Sequence, residues 1–332
     1  MPAQSTRESI GAGPQTPPEP RDEEILAALD QTGFLLEQRV FRFFSDHDAL
    51  DGASIGVPFV DPDTGKSREI DVTADYGTFV GDSSLAAPWV AADFIIECKN
   101  TTSPFVVVGR TVRKHVGLHL DNVYVPSFDP LALGWPTGVW STSSSLKFES
   151  LEGGAFDGGF EGNQLVRLNR QNGSFRADNN SVYDSMLMPL IKATLSRMPQ
   201  ASLEPEDQHP SYNFYFPLLV INSPIYTVTV GSKDSKVQRV PWAPIVRQLQ
   251  DGEKANKYLV EVVEFTHLET YVEKRAMKLL RGVENALAQN ARMFNPYWLL
   301  KQYGKPTRAD EFLIWKDLYK EATGIGAVET DQ

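Results

Sequence analysis

Four side chains in the first third of the chain, Glu37, Asp71, Glu97 and Lys99, are of the types that cation-assisted hydrolysis of a phosphodiester can use. Such a reaction needs an activated water, neutralised charge on the phosphate and a stabilised leaving oxygen. A magnesium ion held by hard carboxylate oxygens supplies all three. Asp71 and Glu97 fall in segments that read as neighbouring strands, so their carboxylates can converge on one cation from different backbones. Lys99, two residues after Glu97 and on the same strand face, can orient a water or hold charge on a phosphate. Taken singly, each has a plainer reading. A Glu-X-Lys on a strand makes a surface ion pair in many proteins, and Glu37 can sit at the rim of an apolar helix face with its head in water.

The elements that must position these groups follow from hydrophobic periodicity. Residues 1–21 are rich in Pro and Gly and poor in apolar groups, and read as a disordered tail. From Asp22 a helical pattern runs through Ile25, Leu26 and Leu29, breaks at Thr32-Gly33 and resumes through Phe34, Leu35, Leu36, Val40, Phe41 and Phe44. Positions 34, 37, 41 and 44 share a helix face on which Glu37 interrupts three Phe. Ile55 to Val60, the turn Asp61-Pro62-Asp63-Thr64-Gly65-Lys66 and Ser67 to Thr73 read as a hairpin ending at Asp71. The acid-rich turn lacks the calcium-loop pattern and is ordinary turn chemistry. After a polar stretch from Asp75 to Pro88, Ala92 to Asn100 is a further strand, with Phe94, Ile96 and Cys98 on one side and Ile95, Glu97 and Lys99 on the other.

Residues 104–177 read as a large insertion, with short strands at Phe105–Val108 and Val123–Pro126. Asp178 is placed to cap a helix carrying Val182, Met186, Leu190, Ile191, Leu195 and Met198, kinked near Pro189. Strands are expected at Phe214–Ile221, Ile225–Val230 and Leu259–Phe265. Thr266 and Glu269 form a capping-box pattern opening a helix to about Ala291, and Asp310 to Glu321 is the last helix. The order implies an α/β fold, a central mixed sheet flanked by helices, with residues 22–265 as the main domain and 266–332 as a C-terminal helical segment packed on it.

Ile70-Asp71, followed across a hairpin-sized interval by Glu97-Cys98-Lys99, resembles the PD-(D/E)XK nuclease superfamily. The family's proline position is Ile70 here. The resemblance further implies an acidic residue on the helix before the first strand, and Glu37 is the matching position. It implies a restriction-endonuclease-like core and Mg²⁺- or Mn²⁺-dependent hydrolysis of phosphodiester bonds, with DNA as the substrate by family analogy. Asp71 and Glu97 would be the metal ligands, with the Cys98 backbone carbonyl completing the shell. Lys99 would position water and stabilise phosphate charge, and Glu37 would be an outer or second-metal ligand. The alternative from another class is a nuclease fold that binds or assembles without turnover.

A formal charge of −11 argues against a surface coated with basic groups, so a phosphate site must gather cations locally. Arg110, Arg113 and Lys114, with Arg167, Arg170 and Arg176, are the candidates for nucleic-acid contact, and a solvated face is their alternative. Glu69, His115, His119, Glu261 and Glu264 read as structural. A single cysteine, Cys98, excludes an intramolecular disulfide and a multi-thiolate zinc site. With no membrane-length apolar run and no secretion signal, no membrane association is expected and the cytoplasm is the default compartment. A homodimer or a partner protein is left open.

Overall fold

Segments whose residues are apolar in both alternations must be strands covered on both faces. Three of them form the parallel heart of the protein: β3 (Trp89–Lys99), β8 (Ser211–Ile221) and β12 (Lys254–Glu264). A computed structural model describes residues 19–81, 87–112, 125–126, 159–179, 182–198, 211–231, 234–251 and 254–289. Around the heart run β1 (Gly52–Val60), β2 (Ser67–Phe79), β4 (Phe105–Thr111), β5 (Val125–Pro126), β6 (Phe160–Gln171) and β7 (Ser174–Asp178). The strands are completed by β9 (Ile225–Val230), β10 (Ser235–Val240) and β11 (Trp242–Asp251). All belong to one mixed sheet in the order β1-β2-β3-β8-β12-β11-β6-β4-β9-β10, with β5 beside β8 and β7 beside β6.

Helices cover both faces. On one, α2 (Phe34–Ser45) sends Leu36, Val40 and Phe44 onto Phe94, Ile96 and Cys98. There α4 (Leu268–Tyr271), a π turn at Val272–Ala276 and α5 (Met277–Gln289) join them. On the other, a π turn at Tyr183–Leu187 leads into α3 (Met188–Arg197), and Met186, Leu190 and Ile191 pack with Ile95, Leu219 and Val260. The remaining helix, α1 (Asp22–Thr32), buries no residue. Among the described residues no helix is long and apolar enough to cross a membrane.

The sheet has a corner. Beyond Lys99↔Ile221 the parallel pair β3/β8 stops, both chains bend across residues 100–104 and 222–224, and they resume side by side as β4/β9 from Phe105↔Ile225. The Asn222 amide donates to the Lys99 carbonyl and the Phe105 amide to that of Pro224, bonds that stitch the bend. The far half of the sheet therefore curls back, and β9 touches β11 and β12. The segment read as an insertion contributes β4, β6 and β7 to this curl, while residues 113–124 and 127–158 lie outside the described residues.

Several expectations are corrected. The buried stripe of α2 is Leu36, Val40 and Phe44, whereas Phe34 is 58% exposed. Asp178 ends β7 and accepts from Arg167, so it caps no helix. The irregularity near Pro189 is a π turn before it, where the missing proline N–H leaves an i−4 carbonyl free. Thr266 donates to the Glu264 carboxylate within a 3₁₀ turn and makes no capping box. The expected helix at Asp310–Glu321 lies outside the described residues.

α3 is fastened by ion pairs at its middle and at its C-terminal end. Lys192 reaches Asp61 at 3.1 Å and Asp63 at 2.8 Å in the β1–β2 turn, and Arg197 pairs with Asp93 and, at 3.4 Å, with Asp75. Burial pushes the Asp93 carboxyl up to about 6 against the opposing pull of Arg197, with Asp75 adding to the rise. Its Oδ1 is buried with no partner among the described residues. A carboxyl whose folded pKa exceeds its unfolded value keeps its proton more readily in the folded state, so stability falls as pH rises between about 4 and 6. Asp93→Asn is expected to flatten the denaturation-midpoint profile across that window, by at most about 3 kcal/mol. Parallel profiles for the two proteins would refute this.

Candidate active site

The four residues singled out by type and spacing come together at the C-terminal end of β3. Two come from β3 itself: with period two, Glu97 and Lys99 share the face of Ile95, and Lys99 Nζ lies 2.5 Å from Glu97 Oε1. Asp71 comes from β2, where the ladder lapses. The β1 register skips Gly56 opposite Asp71, and the β2–β3 register stops at Val72↔Ile96. The strand also changes phase there, since Ile70 packs into the core under α3 while Val72 and Ala74 pack into the core under α2. Freed from regular pairing, Asp71 turns its carboxylate onto the Cys98 amide, which donates to Oδ2 at 2.6 Å.

Glu37 arrives from the opposite face on the first turn of α2. The helix starts at Gly33, whose φ of 91° is left-handed and suits a residue without a side chain. A Cβ at Gly33 would lie 3.8 Å from Glu37 Oε1 and 3.9 Å from the Asn100 Cβ, so helix start, carboxylate and strand end are in one place. Asn100 ties them: its amide donates to the Asp30 carbonyl of α1, and its Oδ1 accepts from Asn222 Nδ2 at 3.2 Å. Sequence reasoning missed Asn100. Its position directly after the strand's last charged residue was the available signal.

The charges feel one another. Burial, then Asp71, pushes the Glu97 carboxyl up to about 7 against the pull of Lys99, with Glu37 adding to the rise. Burial also raises Asp71, opposed by the Cys98 amide and Lys99, and raises Glu37, with Asp71 adding to it. Burial acts to lower Lys99, but Glu97 and Asp71 outweigh it and hold the ammonium above its usual range. The Cys98 thiol faces the α2 core, and burial pushes it up, so only its backbone serves the site. Glu69 is exposed, as expected, yet its charge contributes to the rise at both Glu37 and Asp71.

Three mutually repelling, partly desolvated carboxylates with a single ammonium form a donor set suited to a hard divalent cation. The geometry is nevertheless a closed one. Glu97 is engaged by Lys99 and Asp71 by the Cys98 amide, and among the described residues no three acidic, His or Cys side chains are gathered tightly enough to form a metal cluster.

The basic candidates divide. Arg113, Lys114, His115 and His119 lie outside the described residues. Arg110 is near the outer end of β4, and its guanidinium is 3.0 Å from Glu161. Arg167 bonds Asp178 at 3.0 Å across β6 and β7. Arg170 and Arg176 are exposed on the same two strands, with Arg170 over the Phe175 ring at 6.0 Å. These strands were not anticipated, although Asn172-Gly173 between them is the strongest short-range hairpin signal available. Glu261 and Glu264 are structural, bound by Arg275 and Arg239 respectively.

None of the protein-family models, curated proteins or solved structures with which the chain was compared matches it.

Proposed function

We propose that this protein is a divalent-metal-dependent nuclease with a restriction-endonuclease-like core, acting on DNA. The observation that carries the reading is the convergence at one strand end of Glu97, Lys99 and Asp71, joined by Glu37 from the facing helix. Each of the four is a position that the resemblance to the PD-(D/E)XK superfamily picks out. Asp71, Glu97 and the Cys98 carbonyl are the groups that would hold Mg²⁺ or Mn²⁺, with Glu37 beside them. A cation there would supply Lewis acidity toward a phosphate oxygen and a more acidic bound water.

The chain's own residues do the rest. Lys99 favours the ionised form of Glu97 against the burial and the Asp71 charge that raise its carboxyl, and its ammonium is the positive group nearest to where phosphate charge must be held. The Cys98 amide fixes the Asp71 carboxylate and lowers its proton affinity. Asn100 and Asn222 hold the strand end against α1, which keeps Glu37 in register with β3.

A second reading, a nuclease-like fold that binds without turnover, is favoured by the Glu97–Lys99 pairing, which neutralises the site internally. Supercoiled, linear and single-stranded DNA incubated with Mg²⁺, with Mn²⁺ and with chelator separate the two. Cleavage in the metal lanes alone is expected. Its absence on all substrates, with no heat of Mn²⁺ binding by calorimetry, would leave the binding module.

A further inference from the structure

β6 and β7 form a two-stranded ribbon whose outer half is exposed from Arg170 through Ala177. Its turn is tight: Asn172 and Gly173 take φ of 50° and 83° between the paired Gln171 and Ser174, the two-residue form that matches strand twist. Between Gly162 and Ala177 the chain has three arginines and no acidic residue, in a protein of formal charge −11. Arg167 and Asn169 both bond Asp178 at 3.0 Å, locking the two strands at the base. Arg170 and Arg176 have no acidic partner among the described residues. Phe175, 59% exposed, is the cross-strand partner of Arg170, whose guanidinium lies over its ring at 6.0 Å.

The ribbon is anchored at the corner of the sheet beside the candidate active site. Leu168 N donates to Pro104 O at 2.8 Å, and Ser103 Oγ to Asn169 Oδ1 at 3.1 Å. Ser103 follows Lys99 by four residues, which bounds their separation at about 14 Å of extended chain, or about four base-pair steps.

We propose that this ribbon docks in the major groove of duplex DNA, with Arg170 and Arg176 on phosphates and the polar tip toward base edges. Its dimensions select the partner: a B-form major groove about 12 Å wide admits a two-stranded ribbon, whereas the A-form groove of duplex RNA is too narrow. Binding by the ribbon is independent of the nuclease reading; only cleavage of the bound duplex rests on it.

The test is fluorescence anisotropy of the full chain in chelator, with a labelled DNA duplex, the RNA duplex of the same sequence and one DNA strand alone. R170A/R176A should weaken duplex DNA binding about tenfold or more and reduce the slope of log K against log salt by about 2. Lys236→Ala, on the outermost strand β10, should change neither, and thermal melts should show all three proteins equally folded. Unchanged affinity in R170A/R176A, no duplex binding by the wild-type chain, or equal binding of RNA duplex or single strand would overturn the proposal. A protein that binds through the ribbon and never cleaves overturns the catalytic reading alone. One that cleaves and binds normally as R170A/R176A overturns the ribbon alone.

Discussion

Lys99→Ala is expected to abolish divalent-dependent cleavage, by a factor of about 10³ or more, in a protein that still folds. Two losses combine. The ammonium that would hold phosphate charge is gone, and so is the group that opposes the rise of the Glu97 carboxyl, which burial and Asp71 push up to about 7 even with Lys99 beside it. The second loss has a direction that can be measured. Without Lys99, Glu97 must give up its proton at higher pH, so residual activity should rise more steeply with pH than in the wild-type protein. Glu97→Ala and Asp71→Ala should be equally inactive but lack that steeper rise. Glu37→Gln should retain more activity than any of them, because Glu37 is half-buried and joins from another element. Wild-type rates in Lys99→Ala, measured on the substrate cleaved best, would sink the nuclease reading.

Arg275→Leu is expected to cost about 3–5 kcal/mol of folding stability. Glu261 lies at the middle of the sheet on β12, 2% exposed, where a lone carboxylate has no access to water. Arg275 Nε donates to its Oε1 at 2.5 Å and the Tyr271 hydroxyl to its Oε2, both from the helical layer above. Removing the arginine leaves the buried carboxylate with the Tyr271 hydroxyl but no countercharge, and Glu261→Leu leaves the buried guanidinium without this carboxylate. Removing both leaves neither, so E261L/R275L should be less destabilised than the sum of the single variants by at least about 1 kcal/mol. Chemical denaturation of the four proteins measures that coupling. Additive losses would show the pair to be independent, contrary to the geometry.

The sequence revealed most where burial imposes a period. β3, the hairpin through Asp61 to Lys66 and the break at Gly33 were legible because each is written in a few adjacent residues. The members of the candidate site could be placed for the same reason, since they lie on those local elements. β10 and the outer half of β6–β7 were not, since strands exposed on both faces carry no apolar alternation. Nor was the order of strands: β8 joins β3 at a separation of 122 residues, as Lys99↔Ile221 illustrates, and no local pattern encodes such a pairing. The capping roles expected of Asp178 and Thr266 failed because carboxylate and hydroxyl found nearer partners in Arg167 and Glu264. The pairing of Arg110 with Glu161, opposite it on β6 and 51 residues later in the chain, was not legible either.

That long separation between β3 and β8 has a consequence for biosynthesis. Glu37, Asp71, Glu97 and Lys99 all leave the ribosome early, yet until Ser211–Ile221 emerges, β3 is an edge strand supported by β2 alone. A nascent or truncated chain ending before Ser211 thus carries every candidate reactive group without the sheet interior that desolvates and aligns them. On the nuclease reading, competence would depend on the arrival of a distant strand, and an interrupted polypeptide is expected to be inactive.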